Sequence, residues 1–200
     1  MRGTTSRPKL PSQSPTTPLH RLMTMGRNAT WRDLTLKDIN SLIQVAFQIH
    51  PGLPERAEVF AERVRLFPEG CLALTDRNSR DLVGYAISHP IRTRKPPELD
   101  SLLGEIDRDA NQYCIHDLAI LPAYHGRGSA REAMEILIKV AERYESTCLV
   151  SVYGTAVFWR RFGFMDVDVD EGLRTKLLGY GKDAVILERE SRSHQGVGKN

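Results

Sequence analysis

Two hundred residues with 40% hydrophobic content are enough for one domain with a substantial core and short of the length that favours two. The net charge of +3 is uneven, because residues 1–32 hold six Lys or Arg and no acid, leaving 22 basic residues against 25 acidic ones elsewhere; the folded part lacks the basic stripe that nucleic acid requires, so nucleic acid is not an expected partner. No apolar run reaches the ~20 residues of a membrane-spanning helix, and Cys71, Cys114 and Cys148 show no metal-ligand spacing, so a cytoplasmic protein with no membrane partner and no metal is expected.

Residues 1–28 combine Pro8, Pro11, Pro15 and Pro18 with Ser, Thr and Arg and show no hydrophobic period, which predicts a disordered tail. An acid-free start is also compatible with a mitochondrial transit peptide, but such peptides form amphipathic helices and the four prolines oppose one. The domain is expected over residues 29–190, followed by a polar tail at 191–200. Residues 29–33 predict a strand. Thr35 with Asp38 forms a capping box, opening a helix to residue 48 with Ile39, Leu42, Ile43 and Ala46 on one face. The loop His50-Pro51-Gly52-Leu53-Pro54 leads into a helix over 55–67, and 70–75 with 82–89 read as a hairpin. The connection 96–110 carries Glu98, Asp100, Glu105, Asp107 and Asp109, an acidic loop that reads as a solvated surface or as a field that steers a cationic amine, with a helical turn at Leu102 and Leu103. Residues 112–121 form the strongest strand, and 129–146 an amphipathic helix. A strand (148–153), a helix (155–162), a strand (165–169), a short helix near Leu173 and a strand (184–188) complete a mixed α/β domain.

The informative stretch runs from His116-Asp117-Leu118-Ala119-Ile120 to His125-Gly126-Arg127-Gly128-Ser129-Ala130, a strand, a glycine turn and a helix start. Glycines let backbone N–H groups approach a ligand, and a helix N-terminus adds about half a positive charge, so an anion such as phosphate belongs there. The turn has no Gly-Lys-Ser/Thr ending, no third glycine and no downstream acid, which separates it from nucleotide and dinucleotide loops.

This turn resembles the Arg/Gln-x-x-Gly-x-Gly/Ala motif of the GNAT superfamily of acetyl-CoA-dependent N-acetyltransferases, with His125 at the position of the usual cation. Phe158-Trp159-Arg160-Arg161-Phe162-Gly163-Phe164 looks like the Phe-Tyr-x-x-x-Gly-Phe segment that closes those domains. Within the superfamily the chain is most similar to the arylalkylamine N-acetyltransferases and their microbial and fungal relatives, through His116 to Ile120 and the Pro-containing loop His50 to Pro54. The resemblance implies a GNAT fold, a mostly antiparallel twisted sheet with a splayed parallel pair and flanking helices. It implies acetyl-CoA as co-substrate and a small primary amine, arylalkylamine before polyamine, as acceptor; a coenzyme-A-binding regulatory domain and a peptide N-acetyltransferase are the alternatives. A monomer or weak dimer is expected.

Residue by residue, the resemblance places the pantetheine arm on the backbone of Leu118, Ala119 and Ile120 and the pyrophosphate on residues His125, Gly126, Arg127, Gly128, Ser129 and Ala130. A primary amine with pKa near 10.4 is only about one part in 2,500 neutral at pH 7, so a base is needed, and histidine suits the task. The resemblance puts that base at His116; the residues alone also allow a histidine satisfied in the core. Cys114 stands where the animal enzymes carry a second histidine. Trp159 occupies the family's acidic tyrosine position, where an indole can only form a wall of the thioester pocket, and Tyr153 is the substitute acid. Phe158 is a coenzyme contact or core. Phe47, His50, Leu53, Pro54 and Phe60 are candidates for the acceptor pocket.

Overall fold

A computed structural model describes residues 28–192 and builds them around one sheet of β1 (Ala29–Asp33), β2 (Cys71–Asp76), β3 (Leu82–Ile91), β4 (Gln112–Ile120), β5 (Ser146–Ser151), β6 (Met165–Asp166) and β7 (Val185–Glu190). The order across the sheet is β1-β2-β3-β4-β5-β7-β6. Every neighbouring pair is antiparallel except β4 and β5. Parallel neighbours need a crossover, here the helix α3 (Ser129–Ala141). The other helices are α1 (Ile39–Ile49), α2 (Ala57–Leu66), α4 (Ala156–Arg160) and α5 (Glu171–Leu178).

Helices cover both faces because both faces of the central strands are apolar. Leu42 and Val45 of α1 and Phe60 and Val64 of α2 pack on Tyr85, Ile87 and Ala119. On the other face Met134, Leu137 and Ala141 of α3 meet Tyr113, Ile115 and Leu149, with Trp159 and Phe164 beside them. Each such fully buried side chain contributes about 1.5–3 kcal/mol relative to exposure.

Two irregularities of the sheet position functional groups. The parallel ladder runs only from Gln112↔Ser146 to Ile115↔Leu149, after which β4 and β5 part. In the β3–β4 ladder Ile115 faces Ser88 and Asp117 faces Ile87, so His116 is the extra residue of a β-bulge. A bulge re-aims side chains: His116 and Asp117, consecutive residues, both meet groups of the α1–α2 connection.

Some expectations are corrected. No helical turn forms at Leu102 and Leu103: Asp100 and Gly104 adopt left-handed backbone (φ 55° and 75°), and the N–H groups of Leu103 and Gly104 donate to the Glu62 carboxylate of α2. Three of the five acids of 96–110 are paired, Asp100 with Arg56, and Asp107 and Asp109 with Arg92. The helix expected over 129–146 ends at Ala141, and β5 starts at Ser146. Ser191 is buried, its N–H donating to the Glu145 carbonyl and its hydroxyl to the Ala141 carbonyl, so the start of the expected C-terminal tail belongs to the domain. The expected tails at 1–28 and 191–200 otherwise lie outside the described residues.

Candidate active site

The parting of β4 from β5 opens a cavity of about 740 Å³. Residues 117–120 are laddered to β3 on one edge only, and the bulged His116 lies outside both registers; apart from the Ile120 carbonyl, which meets the His125 ring, the other edge presents unladdered backbone groups to the cavity, and residues 116–120 all line it. Unpaired backbone next to a cavity invites a ligand that can complete the ladder.

At the upper end of β4 the chain turns into α3. Gly126 and Gly128 hold φ of 72° and 84°, and a Cβ on either would meet nothing within 4 Å. Glycine is required there for the left-handed backbone, and the space it leaves is open to a ligand. Gly128 caps α3, whose first N–H groups lack intrahelical partners and carry the positive end of the helix dipole. Gly126, Gly128, Ser129, Ala130 and Arg131 line the cavity at this end. His125 folds back, its Nε2 2.6 Å from the Ile120 carbonyl, so its ring closes the turn. Arg127 lies over the Tyr124 ring at 5.4 Å and is not among the lining residues; the cations that do line the cavity are Arg131 and Arg161, neither of them marked as a ligand by the sequence motifs.

The lower part of the cavity holds two carboxylate–histidine pairs. His116 Nε2 lies 2.9 and 3.1 Å from the two Glu55 oxygens, with side chains only 4% and 7% exposed. His50 Nε2 lies 3.2 Å from Asp117, which also accepts the Tyr85 hydroxyl at 2.5 Å. Burial raises the pKa of both acids, but the charge of His116 beside Glu55 and the hydrogen bond from His50 to Asp117 outweigh it and hold them below the ordinary carboxylate value. Burial pulls His50 down, and its bond to Asp117 more than restores it, leaving it raised. The His50 ring stacks on Tyr153 at 5.7 Å, and Tyr153 holds a left-handed φ of 54°. A second imidazole near His116 comes from another strand: His89 of β3, paired with Cys114, has its ring 6.0 Å away. Burial, with the charges of His116 and Arg63, pushes His89 down to about 3, so it stays neutral.

Of the residues expected at the site, His50, Leu53, His116, Leu118, Ala119, Ile120, His125, Gly126, Gly128, Ser129, Ala130, Tyr153, Phe158 and Trp159 line one cavity. Phe47 does not; on the outer face of α1 it is 69% exposed. Phe60 is core, edge-on to Tyr85. Pro54 lines nothing but precedes Glu55. Trp159 is buried against Phe158 and Phe164, a wall that also belongs to the core. Glu55, Asp117, Tyr85, His89 and Tyr180 were not identified from sequence. Asp117 adjoins His116 in the motif, yet alternation along a regular strand would have sent it to the opposite face.

Residues 36–164 match the model of the Acetyltransferase (GNAT) family. No curated protein matches the sequence. Among solved structures, the loading GNATL domain of CurA from Lyngbya majuscula superposes with a TM-score of 0.67 at 14% identity, over 81% of this chain and 97% of that one. The GphF GNAT-like decarboxylase in complex with isobutyryl-CoA gives 0.64 at 17%, over 82% and 100%. Arabidopsis thaliana Naa50, in complex with the bisubstrate analogue CoA-Ac-MVNAL, gives 0.61 at 12%, over 82% and 99%. At these identities the likeness is one of fold.

Proposed function

The chain belongs to the Acetyltransferase (GNAT) family, and from that premise we propose that it moves an acetyl group from acetyl-CoA to a small primary amine, by direct attack within a ternary complex. The observation that carries this reading is the meeting of an unladdered strand edge, a glycine-capped helix N-terminus and a carboxylate-held histidine in one cavity. Acetyl-CoA, when bound, supplies an acyl thioester as the electrophile. The residues that fit it are the backbone of Leu118, Ala119 and Ile120, the N–H groups of Gly126 to Ala130, the cations Arg131 and Arg161, and the wall of Phe158 and Trp159.

The protein's own task is proton management. His116 is the base that takes the proton of the incoming ammonium. Three tyrosines line the cavity; the Tyr124 hydroxyl donates to Asp76 and the Tyr180 hydroxyl to the Pro97 carbonyl. Tyr153, a phenol protonated at neutral pH and shifted further up by partial burial and the Asp117 charge, is the donor available to the leaving thiolate. The lining also bears on the acceptor. Glu55 and Asp117, the two carboxylates of the lining, are committed to histidines, and Ile49, Leu53, Leu99, Tyr153 and Tyr180 add apolar and aromatic surface beside the neutral Gln48. This composition favours an arylalkylamine over a polyamine, whose second cation would need a free carboxylate.

A thiol-release assay with arylalkylamines, polyamines and a peptide N-terminus tests the reading. Release is expected with the first group, and His116→Gln should lower kcat/KM by ~10²-fold and remove the acidic limb of the pH profile. Release with the peptide alone would transfer the function to peptide acetylation. Binding of acetyl-CoA without release from any acceptor would leave a coenzyme-binding domain without turnover.

A further inference from the structure

We propose that Glu55 is the positioning residue for His116, holding the ring by its Nε2–H so that Nδ1 is the nitrogen that receives the amine's proton. This rests on the acetyl transfer proposed for the cavity and names a residue in it.

A carboxylate only accepts hydrogen bonds, and both Glu55 oxygens face His116 Nε2. The neutral ring therefore carries its hydrogen on Nε2 and its lone pair on Nδ1. The step balances simply: the ammonium gives one proton to Nδ1 and keeps the electron pair as the free amine's lone pair, while Glu55 stays ionised. The imidazolium so formed faces the carboxylate in a buried site, where opposite charges attract far more than in water.

Glu55 is itself held. Its Oε1 accepts the Asp100 N–H at 3.1 Å, and Asp100 is clamped by Arg56, whose N–H and Nε donate to its carboxylate and whose Nη2 donates to its carbonyl. The other charged or titratable groups around the pair come from four elements. Asp117 of β4 bonds His50; neutral His89 and Cys114 lie on the central strands; Tyr180 follows α5. Arg63 of α2 is fully buried, donating to the Val59 and Ser101 carbonyls, and its charge favours the ionised form of Glu55. None of these competes for His116 Nε2.

The rival reading is a buried pin that merely fastens the α1–α2 connection to β4. Nitrogen NMR of the His116 ring separates the two without any turnover. The wild type should show Nε2–H with Nδ1 unprotonated; an Nδ1–H tautomer would overturn the proposal on the wild type alone. In Glu55→Gln the ring should titrate about one pH unit lower, tenfold in protonation equilibrium. The acidic limb of kcat/KM should move by the same amount and kcat fall about tenfold, with acetyl-CoA affinity unchanged. Glu55→Asp, which keeps the charge, should recover part of each change and serves if the Gln variant does not fold. A lower melting temperature with unmoved titration and limb would make Glu55 only a pin. Should the wild type acetylate no amine while the ring behaves as stated, the proposed function falls and the hold of Glu55 on His116 stands.

Discussion

At the scale of single residues, Gly128 shows how backbone conformation and ligand chemistry can be told apart. Its Cβ direction is empty, so Gly128→Ala meets no clash and costs only the left-handed backbone, roughly 1–2 kcal/mol. Gly128→Glu adds a negative charge at the end of α3 where the helix dipole favours an anion. Calorimetry should show acetyl-CoA weakened a few-fold by Ala and more than tenfold by Glu; equal affinities for the two variants would move the phosphate site elsewhere. His125 makes a related point. A histidine in place of the usual cation reads from sequence as a weaker phosphate ligand, whereas the ring is bonded to the Ile120 carbonyl and the arginines that line the cavity are Arg131 and Arg161.

At the scale of elements, β4 divides into two halves with different neighbours. Residues 112–115 are laddered on both edges and 117–120 on one, with the bulged His116 between them. Amide hydrogen exchange should therefore find the gap-facing amides of 116–120 exchanging through local opening, far faster than those of 112–115, and slowed when acetyl-CoA is added. Protection equal to that of 112–115 in the free protein would contradict an open edge. The strands, the glycine turn and the covering helices were legible in the sequence because period-2 and period-3.6 patterns and left-handed glycines are local signals. The chemistry around His116 was not. Glu55 is 61 residues away and stands where a helix start is expected, so nothing local marks its carboxylate as buried. The bulge at residue 116 depends on register with β3, which one strand's sequence does not contain. His89 takes up the place near His116 that, by resemblance, belongs to a second histidine at Cys114 of the same strand.

At the scale of the whole molecule, two histidines set opposite pH dependences of stability. His89 has its folded pKa pushed down to about 3 against ~6.5 unfolded, so below pH 6.5 only the unfolded chain binds the proton and stability falls with falling pH, by up to ~1.4 kcal/mol per pH unit. His50 is raised in the folded state; its contribution is fully present below pH ~6.5 and is lost as pH rises through the raised value. Melting temperatures at pH 4.5, 6.5 and 8.5 should show His89→Gln losing less than the wild type on the acid side, and His50→Gln losing less on the alkaline side. Parallel curves for all three proteins would show that neither histidine is linked to folding in this way. The gap between β4 and β5 also divides the sheet. One half, β1 to β4 with the α1–α2 connection, carries Glu55, His116, Asp117 and His50; the other, β5 to β7, carries Tyr153, Phe158 and Trp159, and the two share a seam of four residue pairs. Under the proposed function, the base with its carboxylate partner and the leaving-group donor sit on opposite banks of that seam. A transplanted 50–55 loop would then retune the acceptor side while leaving the thioester wall in its native setting.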